Sequence, residues 1–264
     1  MPAPSNPIAS SILVIAFLSL LPGIHGDAQT RQDHERLRRA DANWSYMDRD
    51  FSAEYRIVQE SPGEGRSETV AAVFRRDRND IYSIIVLEPN SERGQGYLKQ
   101  EDTLWIYDPV SRRFNTTSSR ARFQNTNARN SDFTQSTLSV DYDILSVQPT
   151  TLGRFDAYLY ELESSEQGVT YPYMRVWITD DGLILKTEDF SLSRQLLRTT
   201  AIPSYQRVGN RRVPQQIYII DMLEGASING DFVNERTVIT VSRASFEDLP
   251  DTVFSKAFLE RVRR

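Results

Sequence analysis

The chain has no cysteine, and it has two histidines among 264 residues. The absence of cysteine excludes disulfide bonds, thiolate nucleophiles, cysteine zinc sites and the lipid-modified cysteine of bacterial lipoproteins. His25 lies in the export signal predicted below, so a multi-histidine metal site cannot form in the mature chain. A serine-histidine-aspartate triad would need His34, which lies in a charged segment that we expect to be an exposed helical turn. We therefore expect no cofactor, no metal and no enzymatic activity.

The chain also lacks an excess of positive charge. Its 36 acidic residues against 31 lysines and arginines give a formal net charge of −5. A protein that binds a phosphate backbone needs a basic surface, so we expect no nucleic-acid partner. With 39% hydrophobic residues, 12 glycines and 12 prolines, the composition is that of an ordinary folded protein. This excludes the disordered, collagen-like and polytopic membrane classes.

An apolar run over residues 12–21 lies near the start of the chain. It is about ten residues long, whereas a membrane-spanning helix needs about 20. Pro22 and Gly23 break the run, and small residues follow as far as Ala28. This order is typical of a secretion signal, so we predict a signal peptide over 1–28 and one periplasmic domain over 29–264. No lysine or arginine precedes the run, and an uncleaved anchor is the alternative.

The rest of the chain changes from helical to strand periodicity. Apolar residues recur at steps of three and four over 32–47, which predicts an amphipathic helix. From Phe51 the period becomes two, which predicts a strand with one buried face. Similar patterns predict further strands over 69–76, 80–87, 103–107, 156–162, 173–179, 183–190, 194–202, 215–223 and 234–241. Turn residues at 180–182 and 209–210 predict antiparallel hairpins. These strands predict one large curved antiparallel sheet, or a barrel that is open or closed.

One polar tract, over residues 116–139, interrupts the strands. It is rich in serine, threonine, asparagine and arginine, and its large apolar residues are Phe123, Phe133 and Leu138. A tract of this length is too long for a simple connection in a compact domain. We interpret it as a lid, a binding loop or an insertion with a short helix. A disordered surface loop is the alternative.

A curved sheet of this size encloses more volume than two short helices can fill, one over 32–47 and one predicted over 254–262. We therefore expect an apolar ligand cavity. On the strand over 69–76, every second residue from Val70 is assigned to the inner face, and Arg76 follows in the same register as a polar contact. The predicted ligand-binding residues are Phe51, Tyr55, Ile57, Val70, Ala72, Phe74, Arg76, Trp105, Tyr107, Phe133, Leu183 and Leu185.

A carboxylate hydrolase is a minor alternative. Two suitably spaced acids can hydrolyse a glycoside without histidine or cysteine. Asp141 and Asp143 are the pair that could face the same side of a strand. No other arrangement of residues in the sequence supports catalysis.

Several segments together carry a resemblance to a known family. They are Glu88 to Lys99 (EPNSERGQGYLK), Leu104 to Pro109 (LWIYDP), Arg112 to Phe114 (RRF), Asn130 to Thr134 (NSDFT) and Phe246 to Lys256 (FEDLPDTVFSK). In order and spacing, these segments resemble the outer-membrane lipoprotein-sorting protein family with the LolA-like fold. The resemblance implies a mainly β fold, an unclosed and strongly curved antiparallel β-barrel whose concave face is covered by helices and a lid loop.

The resemblance also implies a function. A chain of this kind is expected to be a non-catalytic periplasmic carrier or chaperone that shields the acyl chains of a lipoprotein or lipid during transfer towards the outer membrane. An inner-membrane exporter or an outer-membrane acceptor is the expected protein partner, and the chain itself is expected to be a monomer. In such carriers a basic residue on an early strand ties the lid to the barrel, and by position it would be Arg76 or, as the second choice, Arg75. The alternative is a periplasmic or surface binding protein of the same fold, either a sensor, an exporter accessory or an adhesin, whose barrel is filled by its own side chains.

Overall fold

A computed structural model describes residues 24–165 and 169–261 of the chain. The strands are β1 Phe51–Ser61, β2 Gly65–Arg76, β3 Ile81–Glu88, β4 Gly96–Gln100, β5 Thr103–Asp108, β6 Arg113–Thr117, β7 Tyr142–Leu152, β8 Phe155–Ser164, β9 Tyr173–Ile178, β10 Ile184–Phe190, β11 Leu196–Val208, β12 Arg211–Ile228 and β13 Asp231–Ser245. The helices are α1 Ile24–Trp44, α2 Leu138–Asp141 and α3 Lys256–Arg261, and short 3-10 turns cover Asp77–Asn79, Asn130–Phe133 and Asp251–Phe254. The predicted signal falls largely on residues 1–23, which lie outside the described residues, as does Val262.

All the strands belong to one 13-stranded sheet with the order β6-β5-β4-β3-β2-β1-β13-β12-β11-β10-β9-β8-β7. Every neighbouring pair is antiparallel. The sheet is not closed, because β6 and β7 are its two edges and each has a neighbour on one side. This confirms the mainly β fold class and the unclosed barrel that the resemblance implied.

The predicted hairpins are confirmed, and three strands are missing from the prediction. The turns at 180–182 and 209–210 join β9 to β10 and β11 to β12, which pair directly. The missing strands are β4, β6 and β7. Strands β6 and β7 lie at the edges and are half-buried or exposed along their length, so the apolar alternation that marks a half-buried strand is weak in them. Strand β4 has only five residues.

Helix α1 packs on the concave face of the sheet. Leu37 and Ala40, which were predicted on its apolar stripe, are fully buried in the main core. The helix ends at Trp44 rather than Met47, and Met47 is 50% exposed. Tyr46 takes the core position beyond the helix end, with its ring 4.6 Å from that of Phe51. The chain therefore turns inward before β1 starts.

The concave face of the sheet is formed by alternate residues along each strand. On β1 these are Phe51, Ala53, Tyr55 and Ile57, which are buried as predicted. On β2 the prediction chose the wrong face: Ala71, Val73 and Arg75 are opposite Tyr55, Ala53 and Phe51 in the register, so they share the concave face. The residues that we had assigned there, namely Val70, Ala72, Phe74 and Arg76, point to the convex face.

A second apolar cluster on the convex face explains this error. Ile85, Leu98, Tyr107 and Leu259 form it, and Phe74 and Phe258 pack against it. Helix α3 covers this part of β4 so closely that a side chain at Gly96 would lie 2.8 Å from the Leu259 Cδ2 atom. Apolar residues therefore occupy both faces of β2, and alternation alone could not identify the inner one. The amphipathic helix predicted near the C-terminus is confirmed in its described part, although its most buried residue is Leu259 rather than Phe258.

Candidate functional site

A cavity of about 380 Å³ lies between the concave face of the sheet and the segment that follows the polar tract. Its sheet side is formed by inner-face residues of neighbouring strands, because side chains two residues apart on a strand share a face. Ile217 and Ile239 are direct partners in the pairing of β12 with β13, and both border the cavity. The other apolar residues on this side are Tyr55, Met174, Ile184, Ile202 and Ile219.

The tract over 116–139 is packed onto the concave face, so the disordered alternative is wrong for it. Phe123 and Phe133 are fully or almost fully buried, and their ring centroids are 4.8 Å apart. Phe123 also lies 4.7 Å from the ring of Tyr97, and Phe133 lies 5.9 Å from that of Tyr55. The tract has an Asn130–Phe133 turn and continues into α2, so the predicted insertion with a short helix is confirmed. We refer to residues 118–141 as the lid segment.

Arg75 attaches the lid segment to β2. Its Nη2 atom donates to the carbonyl oxygen of Thr134 at 3.1 Å and to that of Trp44 at 3.4 Å, and its guanidinium group also pairs with Asp77. The side chain is 3% exposed. Burial disfavours the charged guanidinium group, but Asp77 and Tyr46 outweigh this effect and raise the pKa of Arg75. The group therefore stays charged at the place where the lid segment meets the sheet.

Arg76 does not contact the lid segment. Its Nε and Nη2 atoms donate to Asp50 at 3.0 and 2.8 Å, and Nη2 donates to the carbonyl oxygen of Leu249 at 2.6 Å. The side chain also pairs with Asp251. These contacts hold the C-terminal segment against the convex face. The prediction that Arg76 ties the lid is therefore wrong, and its second choice, the preceding residue, makes that contact.

A second attachment joins the lid segment to β11. Arg198 donates from Nη2 and Nη1 to the two carboxylate oxygens of Asp132 at 2.7 and 3.1 Å. Asp132 in turn accepts a hydrogen bond from the backbone N–H of Arg129, which fixes the start of the Asn130–Phe133 turn. The pKa of Arg198 is raised because the two carboxylates of Asp132 and Asp189 outweigh the effect of burial. A paired fork of this kind fixes both the position and the orientation of the turn.

Helix α1 supplies a third attachment through Asp41. Its Oδ1 atom accepts hydrogen bonds from the Ser136 hydroxyl at 2.6 Å and from the backbone N–H of Leu138 at 3.0 Å. Its Oδ2 atom accepts a further bond from the backbone N–H of Ser139 at 2.7 Å. A carboxylate at the start of α2 satisfies N–H groups that have no partner within the helix. These three attachments join the lid segment to β2, β11 and α1, and its Asn127 N–H also donates to Gln59 of β1 and Thr237 of β13.

Asp189 is a buried acid at the wall of the cavity. It is 2% exposed and lies opposite Arg198 in the pairing of β10 with β11. Its Oδ2 atom lies 3.3 Å from Arg198 Nε, whereas Oδ1 has no hydrogen-bond partner among the described residues. Burial raises the pKa of Asp189 to about 6, although Arg198 opposes this rise. Tyr171 borders the same part of the cavity, and its hydroxyl group likewise lacks a partner among the residues that the structure describes.

The predicted ligand-binding residues are divided between the two faces of the sheet. Tyr55 and Phe133 border the cavity. Phe51 and Ile57 lie on the same concave face but inside the core next to it. The six on the convex face are Val70, Ala72, Phe74, Arg76, Trp105 and Tyr107. Leu183 and Leu185 are buried, but neither borders the cavity. Ile184, between them, borders it instead, because the register of β9 with β10 shifts between Ile184 and Lys186.

Sequence reasoning missed the charged part of the site. Glu188 and Asp189 are adjacent on β10, and adjacent residues on a strand face opposite sides, so the two acids alone do not indicate a shared site. The informative pattern is a pair of opposite charges across the hairpin, because the turn at 191–195 places Asp189 directly opposite Arg198. Opposite charges at paired positions on an inner face indicate a buried ion pair.

The carboxylate pair of the hydrolase alternative is not on one strand. Helix α2 ends at Asp141 and β7 begins at the next residue, so the assumption of a shared strand face is wrong. Asp141 borders the cavity and accepts a hydrogen bond from the Thr137 hydroxyl at 2.5 Å, whereas Asp143 is exposed. Within 24–165 and 169–261, no three histidine, aspartate or glutamate residues are grouped so as to hold a metal ion. No helix in the same ranges is long and apolar enough to cross a membrane.

Comparisons with known proteins agree with this architecture. No curated protein matches the chain. A LolA superfamily protein of Nitrosomonas europaea is 24% identical with a TM-score of 0.69, and the match covers 85% of this chain and 97% of that one. A domain of Vibrio parahaemolyticus described as an outer membrane lipoprotein-sorting protein is 19% identical with a TM-score of 0.70, over 88% and 97%. A DUF1329 family protein of Desulfovibrio piger is 18% identical with a TM-score of 0.71, over 88% and 98%.

A protein-family model also matches residues 78–261, which is more than half of the chain. Its description reads only "uncharacterized protein". The solved structures show the fold, and they confirm the resemblance drawn from the sequence segments. The chain belongs to the family that this model describes, and its fold is that of the LolA superfamily.

Proposed function

We propose that the chain is a non-catalytic periplasmic carrier that shields acyl chains of a lipoprotein or a lipid during transfer towards the outer membrane. The observation that carries this proposal is the cavity of about 380 Å³ under the lid segment. Its volume lies within the range of about 300–1,000 Å³ that is usual for ligand pockets. The apolar residues on its sheet side are mainly isoleucines, which suit an acyl chain.

The energetics of burial support a carrier. Each methylene group that leaves water contributes about 0.8 kcal/mol, so ten buried methylenes contribute about 8 kcal/mol before the cost of ordering the chain. Binding of this strength needs no chemistry, and release then requires a partner or a conformational change that offsets it. An inner-membrane exporter for loading and an outer-membrane acceptor for release fit this requirement.

The attachments of the lid segment make such a change feasible. Arg75, Arg198 and Asp41 hold it by polar bonds at three separate places. The apolar contacts of Phe123 and Phe133 hold it on the concave face between them. A partner that competes for some of these bonds shifts the equilibrium towards an open lid. We propose that opening of the lid segment admits and releases the cargo.

The first test is mass spectrometry of the protein purified without detergent from the envelope of a diderm host, in native form and after organic extraction. A bound diacyl or triacyl species is the expected result. Apo-protein that also fails to enhance the fluorescence of an apolar dye would contradict the proposal, and would favour the binding-protein alternative.

A matched pair of variants locates the cargo. In Ile217→Trp the larger ring fills the cavity, so the bound species should be lost. In Tyr218→Trp the change lies at the next residue of β12, on the opposite face, so the bound species should remain. Equal cargo in the two variants would place the binding site elsewhere.

A further inference from the structure

A buried carboxylate oxygen at the wall of the cavity has no hydrogen-bond donor among the described residues. Asp189 borders the cavity and is 2% exposed. The Nε atom of Arg198 lies 3.3 Å from its Oδ2 atom, and Oδ1 has no partner in the ranges 24–165 and 169–261. A buried acceptor without a donor costs free energy, so native structures rarely contain one without a reason.

The neighbouring groups do not supply the missing donor. Both terminal nitrogens of Arg198 are directed to Asp132, at 2.7 and 3.1 Å. Thr187 borders the cavity beside this carboxyl group, and its hydroxyl group lowers the pKa of Asp189, but the two groups lack the geometry of a hydrogen bond at Oδ1. The Tyr171 hydroxyl group is also buried and has no partner among the described residues. Its ring lies 5.8 Å from the Arg198 guanidinium group, so both unsatisfied groups are next to the same arginine.

The charges around Asp189 indicate which ligand would fit. Asp132 and Asp189 share Arg198, and the second cation nearby is Arg129, whose guanidinium group lies 5.7 Å from the Tyr171 ring. The two carboxylates and two guanidinium groups balance one another. An anionic head group would place a further acceptor beside Asp189 Oδ1. An uncharged donor would form a hydrogen bond with this atom and would add no net charge to the buried site.

We propose that Asp189 and Tyr171 form a polar end of the cavity that binds an amphiphile whose uncharged head group donates a hydrogen bond. An amide suits both residues, because its N–H donates to Asp189 Oδ1 and its carbonyl oxygen accepts from the Tyr171 hydroxyl group. The acyl chain then extends along the isoleucine side chains on the sheet side of the cavity. This inference rests on the proposed carrier function, and it narrows the class of cargo.

The test uses three probes that share a ten-carbon chain and differ in the head group. They are decanamide, methyl decanoate and decanoate, titrated into the mature protein at pH 7.5 by calorimetry or by displacement of an apolar dye. We expect decanamide to bind about tenfold tighter than the ester, because only the amide donates a hydrogen bond to a carboxylate. Decanoate should bind most weakly. Equal affinity for amide and ester would overturn the inference.

Variants separate the roles of the two residues in the binding of amide and ester. In Asp189→Asn the new side-chain amide can donate to the ester, so the tenfold preference should fall to about one. Tyr171→Phe should weaken amide and ester binding alike by a few-fold, because both head groups have a carbonyl oxygen that accepts from the Tyr171 hydroxyl group, and it should therefore leave the preference unchanged. Asp156→Asn, at an exposed position of β8, is the control and should keep the full preference. A preference that survives in Asp189→Asn would also overturn the inference.

A measurement on the unmodified protein covers the case in which a variant does not fold. Because burial raises the pKa of Asp189 to about 6, its carboxyl group gains a proton between pH 7.5 and 5 and becomes a donor. The preference for amide over ester should therefore decrease towards pH 5, and a constant ratio would contradict the role of Asp189. Failure of all three probes to bind would reject the carrier function itself, whereas equal binding of all three would reject only the polar end.

Discussion

The lid segment covers two regions of the concave face and fills the space in only one of them. We call this one the filled region, and we call the one that contains the cavity the open region. Over most of β2 to β5 the space is filled, because Phe123 and Phe133 pack against Tyr97 and Tyr82 from the sheet. Over β10 to β13 the lid segment leaves a cavity of about 380 Å³, and the inner-face isoleucines border it. The curvature of the sheet creates space along its whole length, and the side chains of the lid decide where that space becomes core.

The two regions also differ in how charge is used. Beside the filled region, Arg75 borders the cavity and is paired with Asp77 and with backbone carbonyl groups. In the open region Arg198 is shared by two acids, and one oxygen of Asp189 has no donor among the described residues. The filled region therefore has the features of a structural core, whereas the open region keeps the unpaired polar group on which the proposed ligand site rests.

The largest expected effect is a loss of stability when an aromatic ring is removed from the filled region. Phe123→Ala should lower the free energy of unfolding by about 3–5 kcal/mol, because it removes a fully buried ring from a packed region. Ile219→Ala, on the cavity side, should cost about 2 kcal/mol, since its side chain borders empty space. Urea unfolding of the two variants measures the difference. Equal losses would mean that the two regions are packed alike.

The next effect depends on pH and concerns the open region alone. The pKa of Asp189 is about 6 in the folded protein, against 3.8 for an ordinary aspartate, so the folded state holds the proton more tightly than the unfolded state. The protein therefore loses stability as the pH rises from 4 to 6, and Asp189→Asn cannot show this loss. Between pH 4 and 7 the wild type should lose about 2 kcal/mol relative to the variant. Urea unfolding across this range tests it, with Asp156→Asn as the control, and a constant difference between wild type and Asp189→Asn would refute it.

A smaller effect separates the two neighbouring arginines of β2. Lysine cannot reproduce the fork of arginine, so Arg75→Lys should loosen the lid segment and Arg76→Lys should loosen the C-terminal segment. Hydrogen exchange followed by mass spectrometry should show amides near Thr134 exchanging about tenfold faster in the first variant, which corresponds to about 1.4 kcal/mol. In the second variant the faster amides should be those near Leu249. Faster exchange near Thr134 in both variants would mean that both arginines hold the lid.

The smallest expected effect on stability is that of a larger side chain placed beside the cavity. Ile202→Phe enlarges a residue that borders the cavity, so it should change the free energy of unfolding by less than about 1 kcal/mol while it reduces acyl-chain binding. Val73→Phe makes a comparable enlargement in the filled region and should cost about 1–3 kcal/mol or more. Thermal unfolding and dye binding of the two variants test the contrast. A costly Ile202→Phe would show that the open region has no room for a ring.

The sequence allowed prediction of the parts of the fold in which one face of a strand is buried. The inner face of β1 and the hairpins at 180–182 and 209–210 follow from alternation and turn residues. The inner face of β2 could not be predicted in this way, because the C-terminal segment covers its convex side and makes both faces apolar. A strand of this kind carries no signal that distinguishes its two faces.

The candidate site was harder to predict than the fold, for a related reason. The choice of Arg76 over Arg75 followed directly from the face chosen for β2, so one error in register moved the lid contact to the wrong arginine. Asp189 was missed because its partner Arg198 is across a hairpin and not beside it in the chain. Contacts between paired strands depend on register, which sequence periodicity does not determine.

The pairing of β1 with β13 has a consequence for how the protein folds. These strands lie side by side in the middle of the sheet, and Tyr55 is opposite Val241 although nearly the whole domain separates them in sequence. Such a seam has a high contact order, so it forms slowly and only after the last strand has emerged from the ribosome. Until then the two arms of the sheet, β1 to β6 and β7 to β12, each expose an unpaired edge strand to other chains. A nascent chain of this topology is therefore most exposed to edge-to-edge association with other chains until its central seam has closed.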